Sequence, residues 1–398
     1  MKITTRIQLS VMMFLEFFIW GSWFVTLGSY LKKGLSATDA EIGPMYTVYS
    51  IAAIISPFFM GGIADRFFAS QRLLGVLHLI GAVTLYWLST LQNIGTFYWV
   101  LLLYTMLYMP TLALSNAVAF RQMTNGEKEF SGVRIFGTIG WIIAGLTLSF
   151  LKQESSSFSF LLAAGASVAL GIYSFFLPDT PPQATGQMSI SQTLGLDALV
   201  LLKKPSFLIF FICSVLICIP LSFYYNYTNV FLNTIKMSDV AGKMSLGQVS
   251  ETLFMLLIPV FFARYGIKTI LLMGISAWVL RYLCFAYGNV GSMEWLLYLG
   301  IILHGVCYDF FFVSGYIYTE TQAGERIKSS AQSLFTFATY GVGMLIGSYL
   351  SGYIAGIYTT DDSVAWQSLW FVPAGIAAGV LVLFLIFFKE KKTTLPQS

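Results

Sequence analysis

Apolar runs of about 20 residues recur along the whole of this chain, and each is long enough to cross about 30 Å of hydrocarbon as a helix. Lipid offers no partner to a bare N–H or C=O, so a segment crossing it must satisfy its own backbone, as a helix does. Composition agrees: of 398 residues, 57% are hydrophobic and 10% charged, whereas a soluble domain carries roughly a quarter charged residues. The expectation is an all-α integral membrane protein. The formal net charge of +4 then belongs to loops at one membrane face and gives no reason to expect a nucleic-acid partner.

Twelve spans can be drawn, at 8–31, 42–64, 73–91, 97–120, 131–151, 158–177, 207–230, 244–264, 269–287, 294–318, 329–353 and 366–388. The longest segment outside them runs from Pro178 to Ser206 and begins with Pro178, Pro181 and Pro182. It reads as a linker (178–206), with a short interfacial helix at 191–202, between two six-helix halves at 1–177 and 207–398. With both termini cytoplasmic, sixteen Lys and Arg residues fall in inner segments and five in outer ones. That bias orients the chain and supports an even number of spans. The first apolar run, Leu9 to Leu31, is too long for a signal-peptide core and reads as a span. Cys213, Cys218, Cys284 and Cys307 all lie in apolar stretches with no CxxC pair, so they read as buried thiols rather than metal ligands or disulfides. Glycines cluster in the fifth span (Gly137, Gly140, Gly145) and the eleventh (Gly341, Gly343, Gly347, Gly352), where small residues let helix backbones approach closely.

Acids inside spans carry the functional argument. Glu251, in GQVSETLFMLLIPVFF, and Asp309, in LHGVCYDFFFVSGYIY, sit at bilayer depth, and Glu16 is a third such acid in the first span. A carboxylate there costs several kcal/mol unless it faces protein or a wet cavity, and such groups mark proton relays, ion sites or polar-substrate sites. A carboxyl group taken out of water also holds its proton more readily, as a proton carrier requires. Gln248 and Glu251 are three apart and share a helix face. An amide and a carboxylate so placed can hydrogen-bond a polar solute; the alternative is a polar clamp between helices. Tyr308 points about 100° away from Asp309 around a helix, so the two cannot aim alike at one ligand; a structural Asp309 paired with a basic residue is the alternative there. Arg134, Thr138 and Trp141 form one stripe on the fifth span, offering a cation, a hydroxyl and a stacking face. Arg134 also satisfies the positive-inside rule by itself. Glu16 either lines the same cavity or pairs with Arg281 of the ninth span. Trp20, Trp23, Tyr224, Tyr225 and Tyr227 are candidates to face the cavity, and His304 is a candidate partner for Asp309. The two histidines, His78 and His304, lie in different spans and make no metal pair. No phosphate-binding Gly-rich loop is present, so ATP-driven pumping is not expected, and no nucleophile–base pair suggests an enzyme.

Six plus six spans around a central linker resembles the layout of the major facilitator superfamily. Gly61-Gly62-Ile63-Ala64-Asp65-Arg66 resembles its GxxxDR loop, although Phe67-Phe68-Ala69-Ser70 replaces the later basic portion. A closer resemblance runs through FLEFFIWGSWFVTLGSYL (14–31), YMPTLALSNAVAFRQ (108–122), VRIFGTIGW (133–141), TLGLDALVLLKK (193–204), QVSETLFMLLIPVFFARYGIK (248–268) and CYDFFFVSGYIY (307–318). In that order they resemble the bacterial nucleoside:proton symporter family. The resemblance implies nucleoside recognition and proton coupling at Arg134, Thr138, Trp141, Gln248, Glu251, Tyr308 and Asp309, and at Asn226 in the seventh span. It carries two departures: the family's permeases have Gln where Phe223 stands and Tyr where His304 stands. The implied protein is a monomeric carrier of the bacterial inner membrane, taking up nucleosides with protons by alternating access. It needs no cofactor or metal, because the proton gradient drives it; the candidate coupling acids are Asp309, Glu251 and Glu16. A proton-coupled carrier of a sugar or another small polar solute is the alternative. A non-transporting receptor is a further one, although the chain has no sizeable soluble output domain.

Overall fold

The computed structural model describes residues 1–59, 68–123, 126–181, 196–324, 327–360 and 363–389. Among these, nine helical stretches are long and apolar enough to cross a membrane. They account for twelve spans once three features are considered. The stretch Val240–Tyr287 is two helices, because Gly266 turns the chain with φ 72°, a conformation that costs glycine little. Phe158–Ser174 is apolar but only 17 residues long. The second span is broken at Tyr46 into Asp39–Met45 and Thr47–Phe59, a proline at 44 removing one backbone donor there.

The spans are therefore α1 (Ile3–Gly34), α2 (39–59), α3 (Ser70–Thr90), α4 (Ile94–Arg121), α5 (Gly126–Phe150), α6 (Phe158–Ser174), α7 (Pro205–Thr234), α8 (240–265), α9 (267–287), α10 (Glu294–Ala323), α11 (Ser330–Ile357) and α12 (Trp366–Phe387). A two-residue antiparallel pairing, Thr359–Thr360 with Ser363–Val364, precedes α12. The GxxxDR-like residues 61–66 and residues 182–195 of the linker lie outside the described residues; so do positions 191–195 of the expected interfacial helix, and Leu196–Lys203 forms a 3-10 helix.

Small residues set how closely the helices meet. A Cβ on Gly140 of α5 would stand 2.2 Å from the Phe14 carbonyl oxygen of α1, so those backbones touch. Between the halves, α5 packs on α8, α2 on α11, and the end of α1 on α7. A Cβ on Gly43 would lie 2.3 Å from the Ser348 oxygen, and one on Gly352 would lie 2.7 Å from the Ala40 oxygen. Polar bonds close the same end. Ser29 Oγ donates to Asn229 Oδ1 at 2.5 Å, Tyr227 Oη donates to the Asp39 carbonyl at 2.5 Å, and Thr359 Oγ1 donates to Asp39 Oδ2 at 3.3 Å. The Gly43 and Gly352 contacts and these polar bonds lie at the end opposite the chain termini. At the terminal end, bonds such as Gln8 to Phe176 and Ser206 to Lys389 stay within one half.

The α1–α5 contact makes a stability prediction. Gly140→Leu drives a side chain into backbone, and overpacking of this kind costs typically 1–3 kcal/mol. The melting temperature in detergent is expected to fall by several degrees on the scale usual for such changes. Gly165→Leu, where nothing lies within 4 Å, is expected to leave it unchanged or raise it. Equal melting temperatures for the two variants would show that α1 and α5 do not meet there.

Candidate substrate cavity

Between the halves lies a cavity of about 310 Å³, at the lower end of the range small-molecule sites occupy. Helices α1, α2, α4 and α5 line it from one half, and α7, α8, α10 and α11 from the other. Six residues expected from the sequence come together there: Arg134, Thr138, Trp141, Gln248, Glu251 and Tyr308. The α5 stripe and the Gln248–Glu251 face of α8 therefore look into one space. Of the aromatic candidates, Trp20 and Tyr225 line it; Trp23, Tyr224 and Tyr227 are buried elsewhere.

Local sequence explains the aim of these groups. Gly137 leaves room for Arg134 to fold back along α5, since a Cβ there would come within 2.7 Å of both the guanidinium and the Phe17 ring. The guanidinium carbon lies 3.8 Å from the Phe17 ring centroid, a cation–π contact. No acid stands within ion-pair distance of Arg134 among the described residues. Trp20 stacks on Tyr49 at 5.5 Å and meets Trp141 edge-on at 5.3 Å, giving a stiff aromatic wall. Across the cavity, the Tyr308 and Tyr340 hydroxyls share a hydrogen bond. Both tyrosines adjoin or sit in π-helical segments, Asp309–Val313 of α10 and Phe337–Gly343 of α11; such bulges recur at functional sites.

The remaining expected residues stand elsewhere. Asn226 is fully buried on another face of α7, its amide donating to Ser351 Oγ at 2.9 Å. Asp309 is fully buried beside the cavity rather than on its wall, as the angle from Tyr308 requires. Among the described residues no side chain hydrogen-bonds its carboxylate, so the pairing with a basic residue considered from the sequence is not found. Glu16 neither lines the cavity nor meets Arg281. Its Oε2 lies 2.9 Å from His78 Nε2, and Thr111 Oγ1 donates to its Oε1 at 2.6 Å. These partners come from α3 and α4, nearer along the chain than the ninth span. His304 faces Glu251 rather than Asp309, its Nε2 standing 3.8 Å from Glu251 Oε2.

Sequence reasoning missed Tyr49, Asn116 and Tyr340, all on the wall. Asn116 had a usable signal, a primary amide inside the apolar run TLALSNAVAF. The two tyrosines had none, since a tyrosine in a span serves packing as readily as a site.

Twelve spans around a polar, aromatic-walled space between two halves define a membrane transporter with the major facilitator superfamily fold. A model of the nucleoside H⁺ symporter family matches residues 1–393, and the chain belongs to that family. It is 43% identical over 402 residues to the putative nucleoside transporter YegT of Escherichia coli K12, covering 97% of this chain and 94% of that one. It is 38% identical over 400 residues to the xanthosine permease of the same organism, covering 96% and 95%. The crystal structure of the nucleoside transporter NupG superposes with a TM-score of 0.89 at 34% identity, covering 97% of this chain and 100% of that one.

Two demands on Arg134 can be separated by one conservative change. Arg134→Lys keeps the charge that orients the chain but loses the planar, bidentate fork. If Arg134 meets the ligand, uptake at equal membrane expression is expected to fall roughly tenfold, the worth of one charge-assisted bond. Undiminished uptake would leave Arg134 as an orientation signal only.

Proposed function

We propose that the nucleoside binds in this cavity, between the aromatic wall of the first half and the Gln248–Glu251 face of the second. The observation that carries this reading is the convergence of Arg134, Thr138, Trp141, Gln248, Glu251 and Tyr308 on one space shared by both halves. A nucleoside presents a flat base and a hydroxyl-rich sugar. Trp141 and Trp20 offer stacking surface to the first, and Gln248 and Glu251 offer an amide and a carboxylate to either. Asn226 supports the site through α7–α11 packing instead of touching the ligand.

Coupling rests on Asp309 and Glu251. Asp309 follows Tyr308 directly, so a change at the cavity wall is felt at its carboxyl group. In a low-dielectric interior a carboxyl group changes charge only when its surroundings change with it. That ties its proton to the rocking of the halves, 1–177 against 207–398, about the fixed site. Glu16, sealed by His78 and Thr111, is a strut of the first half and leaves the set of coupling acids. The chain works as a monomer, since one copy supplies every wall, and needs no cofactor. In a bacterial inner membrane with both termini in the cytoplasm, the hydrogen-bonded end faces outward and the cavity is served from inside.

Uptake of labelled nucleosides into proteoliposomes, with and without an inward proton gradient, tests the reading. Gradient-dependent accumulation is expected; accumulation of a sugar and of no common nucleoside would overturn it. Asp309→Asn keeps the shape but cannot cycle a proton, so concentrative uptake should fail while exchange survives. Full concentrative uptake by that variant would remove Asp309 from coupling and leave Glu251.

Recognition has its own test by calorimetry. Glu251→Gln is expected to weaken nucleoside binding by about 10- to 150-fold, the range for a charge-assisted hydrogen bond, and Gln248→Ala, which removes a neutral one, by about 2- to 12-fold. Unchanged affinity in both would make the pair a clamp between helices.

A further inference from the structure

Behind Glu251 stands a buried pair that the proposed recognition does not use. Arg281 of α9 is fully buried and His304 of α10 is 1% exposed. Arg281 Nη1 lies 3.0 Å from His304 Nδ1. A guanidinium has only donors, so Nδ1 must accept, and the neutral ring carries its single proton on Nε2. That nitrogen faces Glu251 Oε2 at 3.8 Å, beyond hydrogen-bond length and close enough to shorten when a ligand seats, as site bonds do.

The surroundings hold this arrangement from three sides. The Arg281 guanidinium carbon lies 3.4 Å from the Tyr224 ring centroid, and the His304 ring stacks on Tyr224 at 4.8 Å. A Cβ on Gly247 would come within 3.3 Å of His304 Cβ, so α8 leaves the imidazole its place. A Cβ on Gly305 would stand 2.6 Å from the Glu251 nitrogen, and Ser250 Oγ donates to the Ile302 carbonyl at 2.5 Å. The backbone beneath Glu251 is thus clamped to the turn of α10 that carries His304. No carboxylate pairs with Arg281 among the described residues, so its charge is spent on a ring face and on the His304 lone pair.

We propose that His304 is a positioning residue for substrate recognition: Arg281 fixes its tautomer, and its Nε2–H holds one oxygen of Glu251 so that the other faces the ligand as an acceptor. Glu251 then selects ligands that present a hydrogen-bond donor, a sugar hydroxyl or a base N–H, at that point. The proposal rests on Glu251 belonging to the substrate site.

Two measurements test it. The chain has two histidines, so ¹⁵N-histidine labelling of the unsubstituted protein gives two imidazole signal sets, assigned with His78→Gln. The hydroxyl of Ser167 donates to the His78 carbonyl and lies 3.1 Å from His78 Nδ1. Its one hydrogen is used, so His78 carries a proton on Nδ1, whereas His304 is expected to carry its proton on Nε2 alone. A proton on His304 Nδ1 would overturn the proposal. The second measurement is a double-mutant cycle on nucleoside affinity. His304→Phe is expected to weaken binding roughly tenfold and to add no loss in a Glu251→Gln background. An equal loss in both backgrounds would make His304 a packing residue and overturn the proposal. Unchanged affinity in Glu251→Gln alone would instead overturn the site reading beneath it, so the two failures are distinguishable. Where His304→Phe fails to fold, the tautomer measurement on the unsubstituted chain still decides.

Discussion

Hydrocarbon cannot solvate a carboxylate, and the interior of this protein is arranged around that constraint. Among the described residues, three acids lie deep within spans, away from the span ends, and each is kept from lipid in its own way. Glu16 is enclosed by His78, Thr111 and the Tyr108 hydroxyl, which donates to its backbone carbonyl at 2.7 Å. Glu251 opens on the central cavity with a side chain 23% exposed. Asp309 is fully buried with no side-chain partner among the described residues. A satisfied acid stiffens a bundle, an acid on a cavity wall can meet a polar solute, and an enclosed acid without a partner is poised to respond to its surroundings. Environment, more than residue type, divides the roles among them.

The same economy governs the closed end. Its seams are small residues in backbone contact and a few hydrogen bonds, neutral ones such as Ser29 to Asn229 and Tyr227 to the Asp39 carbonyl, and one from Thr359 to the Asp39 carboxylate. Each neutral bond is worth about 1 kcal/mol net, so the closure is firm as a set and weak in any one part. A transporter needs that property, because the end that is shut in one state must open in the next. A large ionic lock between the halves would cost more to break, and the described residues show none: Lys32 meets Asp39 within the first half, at 2.5 Å.

Most of the architecture was legible because lipid makes sequence patterns blunt. Span length and the α5 stripe depend on periodicity and on one solvent boundary, and Arg134, Thr138 and Trp141 do fall on one wall. Legibility ended where side-chain direction depends on tertiary contact. Asn226 and Tyr225 are neighbours on α7, yet the tyrosine lines the cavity and the asparagine packs on Ser351. The π-helical turns that follow Tyr308 and contain Tyr340 leave no periodic trace either. An extra residue in a turn rotates everything after it, which a regular 3.6-residue count cannot foresee.

The two departures that the family resemblance implies, at Phe223 and His304, separate on the same ground. Phe223 is fully buried and absent from the cavity wall, so the loss of an amide there does not by itself alter what the wall presents. Tyr225, two residues on, is the α7 residue that does face the cavity, and it meets Phe24 of the opposite half at 5.4 Å. His304 is also off the wall, but it stands behind a wall residue and is held by a buried cation. A tyrosine at that point would offer a rotatable hydroxyl able to donate or accept, whereas an imidazole fixed through Nδ1 can only donate from Nε2. The change therefore leaves the cavity's outline alone and narrows what Glu251 can do, from either partner in a hydrogen bond toward acceptor alone.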